Sequence, residues 1–360
     1  MKITYGIKDD VIDVTKICKE RLLTKNNIIV IPSGDCNRAK YFTDPIIGIK
    51  KKIFIESEYE DNVQIEINII NNSINVETQL EKQIFMGHDA HKMSNNTEFY
   101  FTKYFDWVFM KDKIIKRNEN PRTCYIKTDY LNKYIDNILS IKNNFILVSG
   151  CSDYSPSINF KDSYEKIIKM PNLIKYYAEN NLSSNPKMCS LTCGLSIHSI
   201  SYENKLLYIR KNIKNKKNKI FCCFRNRNHN ICGKEFIERP YASNFIENNK
   251  EYIEHYHNLN NNEFLTLLSQ CKWCFCPLGN GVDHSPKLVE CLILKVIPIC
   301  KKNFNSYNLY RKYPIIWIDD FNITLNDKDL TYSPGINWDK IMSEFYHKYI
   351  FNNILSNLKK

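Results

Sequence analysis

The chain has 360 residues, of which 51 are basic and 39 acidic, giving a formal charge of +12. That length suits two domains with substantial cores, and the absence of any run of ~18 apolar residues excludes an evident membrane-spanning helix. The positive charge is diffuse: its densest run, KNIKNKKNK over 211–219, holds no aromatic residue and reads as a solvated loop rather than a stacking platform for nucleic acid.

The opening MKITYGIKDDVIDVTK has no apolar core of signal-peptide length, so the protein is expected to stay in the cytoplasm, a reducing compartment. Its 14 cysteines are then expected to be free buried thiols. Cys271, Cys274 and Cys276 have metal-like spacing but share one strand-like run, whereas zinc ligands converge from turns; no metal site is expected. The abundance of Asn, Ile, Lys and Tyr is that of an AT-rich genome, such as that of a large DNA virus or protist.

In chain order, Asn27–Pro32, Lys52–Glu56 and Val63–Ile70 read as strands, the last with period-two alternation. Residues 71–83 read as a loop. In Phe85–His91, His88 and His91 flank Asp89; three apart, the histidines could hold a metal but read better as surface or helix-start residues. Phe99–Met110 is aromatic enough for a core. Thr128–Ile141 reads as an amphipathic helix. Phe145–Val148 reads as a strand that ends in Ser149-Gly150-Cys151-Ser152-Asp153-Tyr154-Ser155, a small polar turn of the kind that edges a ligand. Pro171–Asn180 reads as a helix with proline at its start. Lys187–Leu195 reads as a strand, and Ser196–Asn204 with the basic run as a connection.

Lys219–Phe224 reads as a strand leading into Arg225-Asn226-Arg227, where a guanidinium can fork onto two phosphate oxygens. Phe236–Tyr256 holds a helix or two. Asn260–Gln270 reads as a helix with a capping box, Asn260 before Glu263. Then comes the most informative stretch, CKWCFCPLGNGVDHSPKLVECLILKVIPICK over 271–301. It reads as strand, Gly-rich loop, helix and strand. Gly279 and Gly281 allow a tight turn, Ser285-Pro286 suits a helix start, and the amides there could bind a diphosphate. Tyr313–Ile318 reads as a further strand and Trp338–Leu358 as a terminal helix. Asp327-Lys328-Asp329, the only Asp-x-Asp, reads as a solvated loop.

The 271–301 stretch resembles the donor-site signature of exostosin-like glycosyltransferases: a CP-x-GNG-x-D loop, a helix with Glu before a small residue, and an I-P-I/V strand. The matching residues are Cys276-Pro277-Leu278-Gly279-Asn280-Gly281-Val282-Asp283, Glu290-Cys291 and Ile297-Pro298-Ile299. Where that family has His-Arg and an aromatic, this chain has His284-Ser285-Pro286-Lys287. Residues 149–155 and 173–180 resemble the family's G-x-S-D-Y-S and K-x-W-F-A-x-N segments, and its P-x-G-L is here Thr192-Cys193-Gly194-Leu195. The resemblance runs from about 145 to 320; residues 1–140 match nothing nameable.

The resemblance implies an α/β, GT-B architecture: two Rossmann-like domains facing across a cleft, over 1–203 and 204–335, with a C-terminal helix over 336–360 packing back on the first. It implies a glycosyltransferase that moves a sugar from a nucleotide sugar, UDP- or GDP-linked, to a glycan or glycoprotein acceptor, without metal or other cofactor and with inversion. Donor contacts would come from Arg225, Arg227, Gly279, Asn280, Gly281, Asp283, His284, Ser285 and Lys287, with Glu290 on the ribose. Asp283 precedes Glu290 by seven positions, one short of the double-glutamate spacing of many GT-B enzymes. The base would be Asp153, or else Asp89 or His88. No nucleic acid and no membrane span are expected. The alternative is a catalytically silent relative that binds a glycan or nucleotide or serves as a partner subunit.

Overall fold

The computed structural model describes residues 2–7, 10–23, 28–32, 35–43, 52–56, 64–68, 102–111, 113–195, 200–226 and 228–358. His88, His91, Asp89 and Arg227 lie outside them, as does the side chain of Ser285. The chain forms two compact units, residues 1–79 and 80–360.

In the first unit, β1 (Lys2–Ile7) pairs antiparallel with both β2 (Asp10–Asp13) and β4 (Lys52–Glu56), while β3 (Ile28–Pro32) pairs parallel with β5 (Gln64–Asn68). Helices Thr15–Arg21 and Asp35–Phe42 accompany them. Ile3, Tyr5, Val14, Cys18, Ile29, Ile31 and Phe42 form the core.

The second unit is α/β and carries two sheets. The first orders β11 (Met188–Ser190), β10 (Leu173–Ala178), β9 (Phe145–Gly150), β8 (Thr123–Lys127), β6 (Trp107–Phe109) and β7 (Ile114–Lys116). All neighbouring pairs are parallel except β6 with β7. Buried throughout, β9 sends Phe145 and Leu147 to one core and Ile146 and Val148 to the other, as a parallel strand covered on both faces must. The second sheet orders β13 (Ile253–His255), β12 (Lys217–Cys222), β14 (Cys271–Phe275), β15 (Ile297–Lys301) and β16 (Ile316–Ile318), all parallel. Helices Ala242–Asn248, Asn261–Ser269, Ser285–Ile293 and Phe304–Tyr310 connect its strands in turn. Cys271 and Cys274 of β14 face one core, Trp273 and Phe275 the other.

The expected helix over Pro171–Asn180 is instead strand β10. A register shift between Leu173 and Lys175 resets its alternation, so Leu173 and Tyr176 fall on one core three positions apart and mimic helical spacing. Residues read as a connection form helix Ile200–Lys211, whose Leu206 enters the second sheet's core. The expected capping box is present: Asn260 Oδ1 accepts from Glu263 N at 3.0 Å, and Glu263 Oε2 accepts from Asn260 N at 2.9 Å.

The chain end is two helices, Trp338–Ser343 and His347–Leu355. Trp338 flanks the second sheet, whereas Ile350, Phe351 and Ile354 join Val108, Ile146 and Val148 of the first. Phe351 stacks on Tyr104 with ring centroids 4.6 Å apart. Truncating this buried ring removes both its transfer energy and its packing. Phe351→Ala should therefore destabilise the unit by about 3 kcal/mol, read as a lower urea midpoint at unchanged slope.

Candidate functional site

In the second sheet the chain leaves β12 toward β13 on one side and continues to β14 on the other, so the order reverses between β12 and β14. The crevice outside the C-terminal ends of those strands is where open parallel sheets bind ligands. The loop after β14, residues 276–284, fills that position.

The loop is clamped from within its own sheet. Leu278 N donates to Glu238 Oε2 at 2.7 Å, and Arg239 Nε donates to Leu278 O at 2.8 Å. Asn230 Nδ2 donates to Gly279 O and Gly281 O at 3.2 and 2.8 Å, and Ile231 N donates to Asn280 O at 2.9 Å. Arg239 also donates through Nη1 to Arg225 O. A Cβ on Gly279 would come 3.4 Å from Arg239 Nη2, so this half-buried guanidinium lies along the loop.

The first sheet clamps the other side. Asn180 is buried, and its Oδ1 accepts from Val282 N and Asp283 N at 2.8 and 3.1 Å while its Nδ2 donates to Ser152 O at 2.8 Å. A Cβ on Gly281 would sit 2.4 Å from Asn180 Oδ1, so a side chain there would break the contact. Asp283 Oδ2 accepts from Cys193 N and the Tyr310 hydroxyl at 3.2 and 2.9 Å. Asn280 Nδ2 donates to Asp153 Oδ2 at 3.0 Å. The segments over 149–155, 173–180, 192–195 and 276–283 thus meet in one place.

Helix Ser285–Ile293 starts at the loop, with His284 as its N-cap and Pro286 in its first turn. Its C-terminal end is held by buried Arg210, which donates to Ile293 O and pairs with Asp339 at 2.6 Å. A cation there complements the helix dipole. His284 is buried, its two ring nitrogens 2.8 and 2.9 Å from Cys276 O and Lys301 O; it ties β14 to β15. Lys287 Nζ donates to Cys223 O at the end of β12. Glu290 is buried and accepts from the Tyr202 hydroxyl at 2.6 Å. Arg225 is exposed beside the loop.

Of the expected donor residues, the structure brings Gly279, Asn280, Gly281, Asp283, His284, Lys287 and Glu290 to one loop and helix, adds Arg225 through its carbonyl and Asp153 across the sheets, and engages most of these side chains internally. The sequence reading missed Asn180, Asn230, Glu238, Arg239 and Tyr202. Asn180 was within the quoted segment; the others lay in stretches without a local pattern.

No protein-family model matches the chain, and no curated protein matches it. Among solved structures it is similar to a UDP-forming alpha,alpha-trehalose-phosphate synthase from Burkholderia xenovorans, at 10% identity and a TM-score of 0.36, over 66% of this chain and 73% of that one. Residue roles therefore rest on the geometry alone. Among the described residues no helix is long and apolar enough to cross a membrane.

Three carboxyls beneath the loop share one electrostatic signature. Burial raises Glu290 to about 7, against the opposing pull of the Tyr202 hydroxyl and Lys287. Burial also raises Glu238 and Asp283, opposed first by His284 and by the Cys193 amide respectively. A carboxyl raised in the folded state binds its proton more tightly there than in the unfolded chain. Its stabilising effect is full below about 4.5 and is lost as pH climbs through the folded value. Stability should therefore fall as pH rises from about 4.5 to 7, with Glu290 contributing on the order of 3 kcal/mol. Thermal unfolding of Glu290→Gln across that range should show a shallower decline than the parent; an identical slope would remove Glu290 as a source.

Proposed function

We propose that the second unit is a GT-B glycosyltransferase that moves a sugar from a UDP- or GDP-linked donor to a hydroxyl of a glycan or glycoprotein, without metal and with inversion. The observation that supports this best is the pairing of Asn280 with Asp153, 3.0 Å apart. It joins a Gly-rich loop at the reversal point of one parallel sheet to a carboxylate on the C-terminal edge of the other. A donor phosphate at the loop would then lie beside a candidate base.

In this reading the N-terminal amides of helix Ser285–Ile293, with Arg225, Arg227, Arg239 and Lys287, stabilise the departing nucleoside diphosphate. Glu290 accepts from the ribose hydroxyls, and Tyr202 orients it. Asp153 takes the proton of the acceptor hydroxyl as the glycosidic bond forms and the bond from the sugar to the diphosphate breaks. Metal-independence rests on Asp327 and Asp329. Both are exposed; Asp329 accepts from Asn326 N at 2.9 Å and Asp327 from the Tyr252 hydroxyl at 3.0 Å, as in a surface turn. We retain the division at 203 and 335 as part of this reading, and the cytoplasm as its site of action.

One observation favours a second reading, a catalytically silent nucleotide or glycan binder. The Val282 and Asp283 amides are already taken by Asn180, and Asp283, His284 and Lys287 hold internal partners. The two readings separate in one assay series. UDP or GDP at 100 times its dissociation constant should stabilise the protein by about 2.7 kcal/mol. Glu290→Ala should weaken that effect. Asp153→Asn should keep it while lowering sugar transfer by about 10²–10⁴, measured by mass spectrometry of acceptor products. Binding without transfer in the parent protein would favour the silent reading, and no response to any nucleoside diphosphate would contradict both.

A further inference from the structure

Directly beneath the loop, on the side that faces helix Ser285–Ile293, four buried thiols gather. Cys274 and Cys276 are two positions apart, so they point to the same face of the strand. Cys291 comes down from the helix. Cys300 comes from β15, held level with Cys276 by the bond from Cys276 N to Ile299 O at 2.9 Å. Cys276 Sγ lies 3.6 Å from Cys274 Sγ and 3.9 Å from Cys291 Sγ, and the sulfurs of these three lie within 4.8 Å of one another. Cys300 borders these three from the neighbouring strand but lies outside the group of sulfurs within 4.8 Å of one another.

Zinc held by thiolates is tetrahedral with Zn–S bonds of about 2.3 Å, which places the sulfurs about 3.8 Å apart. The two measured separations bracket that edge. We propose that Cys274, Cys276 and Cys291 bind one zinc ion that staples the helix to the sheet under the loop, with Cys300 drawn in from β15 to complete the tetrahedron. The sequence reading rejected zinc because the neighbouring cysteines shared a strand. The fold supplies the missing convergence from the helix and from β15. As each Zn–S bond forms, the thiol gives its proton to solvent. All four side chains are at most 1% exposed, so the ion enters as the helix docks on the sheet and leaves only when they separate. This site is independent of the donor reading, and its test does not involve sugar transfer.

The competing explanation is that the cysteines act as small apolar core residues. Full-length protein expressed with zinc, then desalted, is assayed for metal by mass spectrometry. A second preparation is made with cobalt and examined by absorption. The expected result is about one zinc per chain, resistant to EDTA in the native protein and released on unfolding, with a thiolate-to-cobalt charge-transfer band and tetrahedral ligand-field bands. Cys291→Ala should lower bound zinc by about tenfold or more. Cys222→Ala, a buried thiol on the other face of the sheet, should leave it unchanged. Should Cys291→Ala fail to fold, the cobalt spectrum of the parent protein decides alone. Native protein with under about a tenth of an equivalent of zinc and no charge-transfer band would overturn the proposal, as would a Cys276–Cys291 disulfide.

Discussion

One carboxamide holds the two sheets of the second unit to a common point. Asn180 accepts from successive amides of the Gly-rich loop and donates to the loop after β9. It is 4% exposed, and a buried amide deprived of its partner costs about 1–3 kcal/mol. Its backbone sits at φ 50°, in the left-handed region that asparagine tolerates better than most residues. Gly281 has to be a glycine because this oxygen occupies the space a Cβ would take. The position of Asp153 beside Asn280, and of Asp283 against Cys193 and Tyr310, follows from the same clamp.

Around this point the molecule concentrates charge where water is scarce. Glu238, Asp283 and Glu290 are buried below the loop, and each is pushed toward its neutral form. Arg239 and Lys287 lie alongside, each donating to a backbone carbonyl. The loop's amides and side chains are held by protein partners.

Much of the second sheet was legible from local signals. The run from Cys271 to Lys301 alternates and punctuates so clearly that strand, loop, helix and strand all fall close to where the pattern puts them, and the Asn260–Glu263 box marks its helix start. The failures are equally physical. A bulge in β10 converted strand spacing into helical spacing. Helix Ile200–Lys211 carries few cues beyond scattered apolar residues, and its purpose is visible only when Arg210 reaches Ile293 and Tyr202 reaches Glu290. Asn180, Asn230 and Glu238 act on a loop about 40 to 100 positions away in sequence, and asparagine in an Asn-rich chain gives no local sign of such a role.

The central claim is that the loop and the first turns of helix Ser285–Ile293 receive a nucleoside diphosphate. Amide hydrogen exchange with and without saturating UDP or GDP tests it most directly. The account predicts slowed exchange over residues 279–288 and at the end of β12 around 223–226, where the reversal point lies. Protection elsewhere with none at these two segments, or no protection with either nucleotide, would contradict it.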